Sequence, residues 1–191
     1  MKIAVDLDGV CYEWQRTYRY MMREYRGITM PPVEEFWHYW NAPDQFTSKE
    51  DRKWMWSEGV RLGLFRYGHM MTGCRLALTQ LAETGHQLSI ATHRPTQAVN
   101  DTLEWLAFYM KDIPLEGVHI LSNNEPKTVV KADVLIDDKP ENLKEWADSV
   151  RWAICFDQPW NRGEGVLGSR AYGWPGVLDK VDLIDRIKRG D

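Results

Sequence analysis

The chain lacks any apolar run near the 18 residues that suggest a membrane-spanning helix. It has three cysteines, Cys11, Cys74 and Cys155, in neither a CxxC nor a zinc-ligand spacing, which predicts buried thiols in a reducing compartment. The chain also has no excess of basic residues, since its formal net charge is −4. A protein whose main function is to bind nucleic acid would be expected to carry a basic face. A predicted strand begins at residue 2 in place of a signal peptide. We therefore expect a cytoplasmic protein without membrane or nucleic acid partners.

The 191 residues, 43% of them hydrophobic, predict one domain with room for a modest insertion. Strands are predicted over 2–6, 87–91, 118–121, 133–137 and 152–156, and helices over 74–84, 96–111, 127–131, 140–148 and 178–189. Alternating strands and helices indicate an α/β fold with a parallel sheet flanked by helices on both faces.

One long segment has no predicted strand. Residues 12–67 contain 14 of the 23 Trp, Tyr and Phe residues of the chain. Because structureless loops of this length are rare inside compact domains, we expect a helical cap over about 14–69, inserted into a core formed by 1–13 and 70–191. The aromatic residues either build the core of the cap or line a slot for a flat, apolar part of a ligand.

Two carboxylates stand at the end of the first predicted strand, where the apolar segment 2–5 runs into Asp6-Leu7-Asp8-Gly9. In an open α/β sheet, ligands bind beyond the carboxyl ends of the strands, so both acids would reach the site. Acids one residue apart on an extended segment face opposite ways and can perform different steps on one substrate. The alternative is a tight turn, in which Asp and Gly are common.

Polar side chains also follow the second strand, which ends in Thr92 before a helix that begins after Pro95. A hydroxyl beside free backbone amides at a helix N-terminus is typical of an anion site, and a plain N-cap is the alternative. Lys127, early in a short predicted helix, is compatible both with this site and with a solvated surface position.

The strongest signal is the pair Asp137 and Asp138, which follows the wholly apolar strand segment 134–136. Neighbouring carboxylates at the end of a sheet repel each other unless a cation neutralises them. Oxygen ligands without a nearby His or Cys suit Mg²⁺ better than zinc. The alternative is structural capping of the helix that Pro140 begins.

These signals occur in the order Asp-x-Asp, Thr, Lys, Asp-Asp, which resembles the haloacid dehalogenase superfamily and, within it, the 5′(3′)-deoxyribonucleotidases. The runs 6–10 and 127–140 are similar to the signature runs of that family, and 156–162 is similar to its phage and bacterial members. The resemblance implies a Rossmann-like parallel sheet with a small helical cap after the first strand. It also implies Mg²⁺-dependent hydrolysis of nucleoside 5′-monophosphates, in particular pyrimidine deoxyribonucleotides.

The resemblance assigns roles to the acidic residues. Asp6 would attack phosphorus and become an aspartyl phosphate. Asp8 would protonate the departing sugar oxygen and then take a proton from the hydrolytic water. The metal ligands would be Asp6, the backbone carbonyl of Asp8, Asp137 and Asp138.

The same resemblance places Thr92 on a phosphate oxygen and Lys127 beside the phosphate and Asp6. Its base-binding pocket falls on Trp14, Phe36, Trp37 and Phe65. The chain departs from the animal enzymes after the second strand, where Thr-Ser-Pro becomes Thr92-His93-Arg94-Pro95. His93 and Arg94 could strengthen anion binding or change which nucleotide end is accepted, and a surface position for Arg94 is the alternative.

Other interpretations stay open at this point. The substrate could be another small phosphorylated metabolite or a nucleic acid end, or the protein could bind nucleotides without catalysis. Residues 163–168 match GxGxxG, but the flanking segments predict neither the strand nor the helix of a dinucleotide site, so we expect a flexible loop. Both a monomer and a homodimer are compatible with the sequence.

Overall fold

The computed structural model describes residues 1–31, 46–149, 151–162 and 169–190. Six strands form one sheet in the order β3-β2-β1-β4-β5-β6, and every neighbouring pair is parallel. The strands are β1 Lys2–Val5, β2 Gln87–His93, β3 Leu115–Leu121, β4 Val134–Asp137, β5 Trp152–Phe156 and β6 Ser169–Ala171. The predicted parallel α/β sheet is confirmed, and the carboxyl ends of all six strands meet at one edge.

Helices connect the strands. The α-helices are α1 Trp14–Arg26, α2 Lys49–Trp54, α3 Cys74–Glu83, α4 Val99–Tyr109, α5 Pro140–Asp148 and α6 Gly173–Arg189. A π-helical turn covers Met55–Gly59, and 3₁₀ turns cover Thr96–Ala98, Lys127–Val129 and Pro159–Asn161. Among these described helices, none combines the length and the apolar character needed to cross a bilayer.

The core lies on both faces of the sheet because alternate residues of each strand point to opposite sides. Ile3 and Val5 of β1 pack in a large cluster that includes residues of α3 and α6. Ala4 faces the other way and packs with Leu143 and Trp146 of α5. The three cysteines are free thiols and buried, as predicted.

The structure corrects the sequence prediction at two connections. The helix predicted over 127–131 is a single 3₁₀ turn, because Val130 is already extended and leads towards β4. The sequence also missed β6, whose three residues, Ser-Arg-Ala, show neither an apolar run nor alternation. Pairing with β5 defines this strand, and a tertiary contact of this kind leaves no local pattern.

The last helix begins five residues earlier than the predicted 178. Gly173 enters it with a φ of 71°, and Pro175, which has no N–H to satisfy, stands in its first turn. Trp174 is buried there, and its indole N–H donates to the carbonyl of Val10. The interpretation of this segment as non-helical was therefore wrong, because buried packing of Trp174 outweighs the loop-like composition. The GxGxxG segment 163–168 lies outside the described residues.

The described part of the insertion after β1 is helical. On α1, Tyr18 and Met22 are buried, and Gly27 ends the helix with a φ of 67°. Ser48 and Asp51 form a reciprocal capping box that begins α2. The first strand thus leads directly into the helices that stand beside the carboxyl edge of the sheet.

Candidate active site

Three carboxylates converge at the carboxyl edge of the sheet. Asp6 follows β1, Asp137 ends β4 and Asp138 follows it, and these two strands are neighbours. The backbone N–H of Asp6 donates to the carbonyl of Ile136 at 3.0 Å, which fixes the two strand ends side by side. All three side chains are buried, and one oxygen of each lies within 4.8 Å of the other two. The structure therefore brings together the acids that the sequence placed 130 residues apart.

Lys127 joins this cluster. Its ammonium nitrogen lies 2.8 Å from Asp6 Oδ1 and 2.6 Å from Asp137 Oδ2, and its side chain is 1% exposed. Burial lowers the pKa of Lys127, but the two carboxylates outweigh this effect and raise it above its ordinary value. The lysine is therefore charged at neutral pH, and the alternative of a solvated surface position is wrong.

The acid cluster still has an excess of negative charge. Burial, followed by the charges of Asp137 and Asp6, raises the pKa of Asp138 well above its ordinary value. In their ionised forms, the four buried carboxylates of the site, including Asp8, would carry two more charges than the buried cations Lys127 and Arg94 offset. A divalent cation would supply that difference and favour the ionised acids, and carboxylate oxygens suit Mg²⁺. These residues therefore fit a magnesium ion.

Asp8 does not belong to the group formed by these three acids. Its carboxylate forms an ion pair with the guanidinium of Arg94, and both side chains are buried. Burial lowers the pKa of Arg94 to about 9, so this arginine is still a cation at neutral pH. The alternative of a surface position for Arg94 is wrong, because its side chain is 1% exposed and packs on the ring of Phe65.

Several buried polar atoms in the site have no hydrogen-bond partner within the described parts of the chain. They include Thr92 Oγ1, near the end of β2, Asp8 Oδ1, and Nε and Nη1 of Arg94. Because buried polar groups in native proteins are almost always hydrogen-bonded, unpartnered atoms at the carboxyl edge mark a place where polar atoms of a ligand fit.

A cavity of about 650 Å³ opens beside these residues. His93 lies on its wall, and His93 Nε2 lies 2.8 Å from the carbonyl oxygen of Glu125. Further residues of the wall are Trp56, Phe65, Asn123, Asn124, Lys139 and Asn142. The cavity therefore joins aromatic side chains of the insertion to polar groups of the core, an arrangement that suits a ligand with a flat apolar part and an anionic part.

The structure separates two of the predicted pocket aromatics. Phe65 lines the large cavity, whereas Trp14 and Gly9 line a smaller one of about 240 Å³. Trp56 lies between them, with its ring centroid 6.0 Å from that of Trp14 and 6.2 Å from that of Phe65. Phe36 and Trp37 lie outside the described residues.

Sequence reasoning missed Trp56 as an individual residue, although it lies in the aromatic-rich range 12–67. Trp56 stands on the π-helical turn Met55–Gly59. Such turns are rare in proteins, and those that occur often lie at functional sites. No local pattern in the sequence distinguishes this turn from an ordinary helix.

Sequence reasoning also missed the groups that orient the acids. Trp160 Nε1 donates to Asp138 Oδ2 at 2.9 Å, and Asn161 Nδ2 donates to the Asp138 carbonyl at 2.8 Å. Asn142 Nδ2 donates to Asp137 Oδ2 at 3.0 Å. The run 156–162, noted only for its similarity to phage and bacterial proteins, thus supplies two donors to one of the predicted metal ligands.

Gly9 permits the close packing of this site. Its φ is +74°, and a Cβ built on it would lie 2.1 Å from Asp138 Oδ2 and 3.1 Å from the ring of Trp160. A residue other than glycine would therefore displace Asp138, besides being strained at this φ.

The solved structures most relevant to the fold are haloacid dehalogenase-type enzymes. One is a haloacid dehalogenase-like hydrolase from Streptococcus pneumoniae, with a TM-score of 0.67, 11% identity, and coverage of 93% of this chain and 96% of that one. Another is a D,D-heptose 1,7-bisphosphate phosphatase from B. bronchiseptica, solved with magnesium and phosphate. Its TM-score is 0.56 and its identity 10%, and the match covers 96% of this chain and 99% of that one. These similarities show that the chain has the haloacid dehalogenase fold.

Sequence comparison is more specific. Residues 1–188 match the family model described as 5′ nucleotidase, deoxy (pyrimidine), cytosolic type C protein. A Chlorobaculum tepidum protein, assigned by name to the 5′(3′)-deoxyribonucleotidases, is 31% identical over 94% of this chain and 89% of its own length. The 5′(3′)-deoxyribonucleotidase of Bacillus subtilis is 32% identical over 62% of this chain and 65% of its own. The chain therefore belongs to the family described as 5′ nucleotidase, deoxy (pyrimidine), cytosolic type C protein, and it is a phosphoric monoester hydrolase with the haloacid dehalogenase fold.

Proposed function

We propose that the protein hydrolyses nucleoside 5′-monophosphates, in particular pyrimidine deoxyribonucleotides, to a nucleoside and phosphate in a Mg²⁺-dependent reaction. The observation that carries the proposal is the buried group of Asp6, Asp137, Asp138 and Lys127 at the carboxyl edge of the sheet. The family description and the names of the relatives support the nucleotide substrate.

The magnesium ligands in this proposal are Asp6, the backbone carbonyl of Asp8, Asp137 and Asp138. When bound, Mg²⁺ offsets the repulsion between carboxylate and phosphate and polarises the phosphoryl oxygens. Trp160 and Asn142 hold the carboxylates of Asp138 and Asp137 in place for this purpose.

Asp6 is the proposed nucleophile. Its carboxylate oxygen bonds to phosphorus while the bond from phosphorus to the sugar oxygen breaks, which gives an aspartyl phosphate and splits hydrolysis into two easier steps. Asp8 gives a proton to the departing sugar oxygen and later accepts one from the water that attacks the aspartyl phosphate. Because Asp6 and Asp8 face different partners, one can react while the other moves the proton.

The phosphate is placed by groups around Asp6. The unpartnered hydroxyl of Thr92 donates to a phosphate oxygen, and Lys127 offsets negative charge on the phosphate and on Asp6. His93 and Arg94, which directly follow Thr92, are further groups on the phosphate side of the substrate.

The base is placed by aromatic side chains of the cap, which we propose to extend over about 14–69, with the core in 1–13 and 70–191. Phe65 and Trp56 form the aromatic wall of the large cavity, and Trp14 stacks on Trp56. Phe36 and Trp37 are assigned to the same pocket on the family resemblance alone. A stacking wall is suited to a nucleobase, since base–aromatic stacking contributes roughly 1–3 kcal/mol per base. We further propose a cytoplasmic location, in line with the family description.

A substrate screen tests the proposal. Ribo- and deoxynucleoside monophosphates, each as the 5′ and the 3′ ester, are incubated with the protein and Mg²⁺, and released phosphate is measured. We expect the highest kcat/KM on pyrimidine deoxyribonucleoside 5′-monophosphates. Hydrolysis of sugar phosphates without hydrolysis of any nucleotide would refute the substrate while leaving the reaction class intact.

A further inference from the structure

Arg94 is the only arginine among the described residues that is fully buried, with 3% of its surface exposed. It stands just beyond β2, and its backbone N–H donates to the carbonyl of Leu121 at 3.0 Å. This bond ties the residue to β3. A buried guanidinium needs counter-charge and hydrogen-bond acceptors, because removing it from water is costly.

Its surroundings supply a counter-charge but leave part of the guanidinium without a hydrogen-bond partner. The guanidinium forms its ion pair with Asp8, and Nε and Nη1 have no hydrogen-bond partner anywhere in the described ranges. The rings of Phe65 and Tyr12, with centroids 4.2 and 5.7 Å from the guanidinium carbon, cover it and exclude water.

An anion entering the site would complete this arrangement. Thr92 Oγ1 and Asp8 Oδ1 are also buried without hydrogen-bond partners in the described structure, so the unpartnered groups cluster at the end of β2 and the loop after β1. A phosphoryl group offers several acceptor oxygens and more negative charge than one carboxylate, and the planar guanidinium matches its geometry. Phosphate can therefore compete with Asp8 for the arginine.

We propose that Arg94 is a catalytic residue that exchanges partners during the reaction, pairing with Asp8 in the free protein and with a phosphoryl oxygen in the substrate complex. Once the pair opens, Asp8 takes up a proton from solvent and gives it to the departing sugar oxygen, and the ionised carboxylate then accepts a proton from the hydrolytic water. The water oxygen then bonds to phosphorus, and the bond from phosphorus to Asp6 breaks. This inference rests on the proposed function and goes beyond it by linking phosphate entry to the release of Asp8.

The test measures the binding of inorganic phosphate in the presence of Mg²⁺ by titration calorimetry. Asp8→Asn serves as the background, because Arg94→Met alone would leave a buried carboxylate without its partner. We expect Asp8→Asn to bind phosphate at least as tightly as the unmodified chain. The double variant Asp8→Asn/Arg94→Met should bind at least tenfold more weakly than Asp8→Asn.

Two further variants sharpen the comparison. Asp8→Asn/Arg94→Lys keeps the positive charge without the planar fork and should bind several-fold more weakly than Asp8→Asn, which gives a second measurement if the methionine variant does not fold. Arg23 also pairs with a carboxylate and lies 5.8 Å over a tyrosine ring, but on the surface. Asp8→Asn/Arg23→Met is therefore the matched control and should bind phosphate as Asp8→Asn does.

Equal phosphate affinity with and without Arg94 in the Asp8→Asn background would overturn the contact with phosphate. Weaker binding by Asp8→Asn than by the unmodified chain would overturn the exchange. Neither measurement uses a nucleotide, so a failed nucleotide screen, which contradicts the proposed function, is distinguishable from failure of this inference.

Discussion

Lys127 Nζ lies 2.6 Å from Asp137 Oδ2, inside a site where both side chains are almost completely shielded from water. The two residues stand ten positions apart, on a 3₁₀ turn and at the end of β4. Burial raises the pKa of Asp137, and the charge of Lys127 acts against this shift. The lysine thus opposes the protonation of a carboxylate that burial favours.

Replacing Lys127 with Met should lower kcat/KM for a nucleoside 5′-monophosphate by about 100-fold or more, since a preorganised charge in a dry site contributes strongly to phosphoryl transfer. Released phosphate, assayed over a range of substrate concentrations, measures the change. Lys131→Met removes an exposed lysine from the same segment and is the control. Activity within threefold of the unmodified chain would show that the buried lysine has no part in catalysis.

Substitution of Asp6 and substitution of Asp8, both in the loop after β1, should affect the reaction in different ways. Asp6→Asn should abolish turnover, because an amide cannot form the aspartyl phosphate. Asp8→Asn keeps the nucleophile and should at most accumulate the phosphoenzyme, since the group that accepts a proton from water is missing. Rapid acid quench after mixing with a ³²P-labelled nucleotide distinguishes the two. Full activity of the Asp6 variant would refute a mechanism in which Asp6 is the nucleophile.

The sequence was most informative where chemistry and local pattern coincide. Asp6 and Asp137 both follow short apolar segments, and the parallel topology alone places such strand ends at one edge. The bounds of α5 were predicted correctly, because Pro140 begins the helix and its apolar spacing is regular. By contrast, β6 and the start of α6 depend on pairing and on the burial of Trp174, which no local signal announces.

The sequence did not predict which side chains that are distant along the chain contact each other in the fold. Asp8 and Arg94 are 86 positions apart in the chain, and nothing in the sequence indicates that the two form an ion pair. The sequence left open a surface position for the arginine. Trp160 donates to Asp138 from a loop that the sequence marked only by family similarity. Such contacts depend on the exact register of separate loops, and a change of one residue would remove them.

Trp160→Phe should weaken magnesium binding by roughly 10- to 100-fold, because partners that orient a metal ligand typically contribute this much to affinity. The ring remains, so the change removes chiefly the hydrogen bond to Asp138. The Mg²⁺ concentration that gives half-maximal phosphate release measures the effect. Trp152→Phe, at a surface position, should leave that concentration unchanged. If Trp160→Phe behaves like this control, the indole does not support the metal.

Gly9→Ala and Gly27→Ala form a matched pair, because both glycines have positive φ values but only Gly9 is crowded. Each substitution should cost roughly 1–2 kcal/mol of unfolding free energy from backbone strain, measured in urea. Gly9→Ala should in addition lower kcat/KM more than tenfold, since the new Cβ displaces Asp138. Nothing lies within 4 Å of a Cβ at Gly27, so that variant should keep its activity. Equal activity of the two variants would contradict a need for close packing at Gly9.

Trp56→Leu separates recognition of the base from catalysis on the phosphate. Trp56 lines the large cavity beside Phe65, and it does not belong to the group of acids around Lys127. Loss of a stacking contact of roughly 1–3 kcal/mol should lower kcat/KM for a pyrimidine deoxyribonucleoside 5′-monophosphate by about 5- to 150-fold. A sugar phosphate without a base, hydrolysed slowly by the same acids, should be unaffected. Tyr20→Leu, which removes an exposed ring of α1, should change neither rate. Equal losses on both substrates would mean that Trp56 supports the structure of the site and does not contact the base.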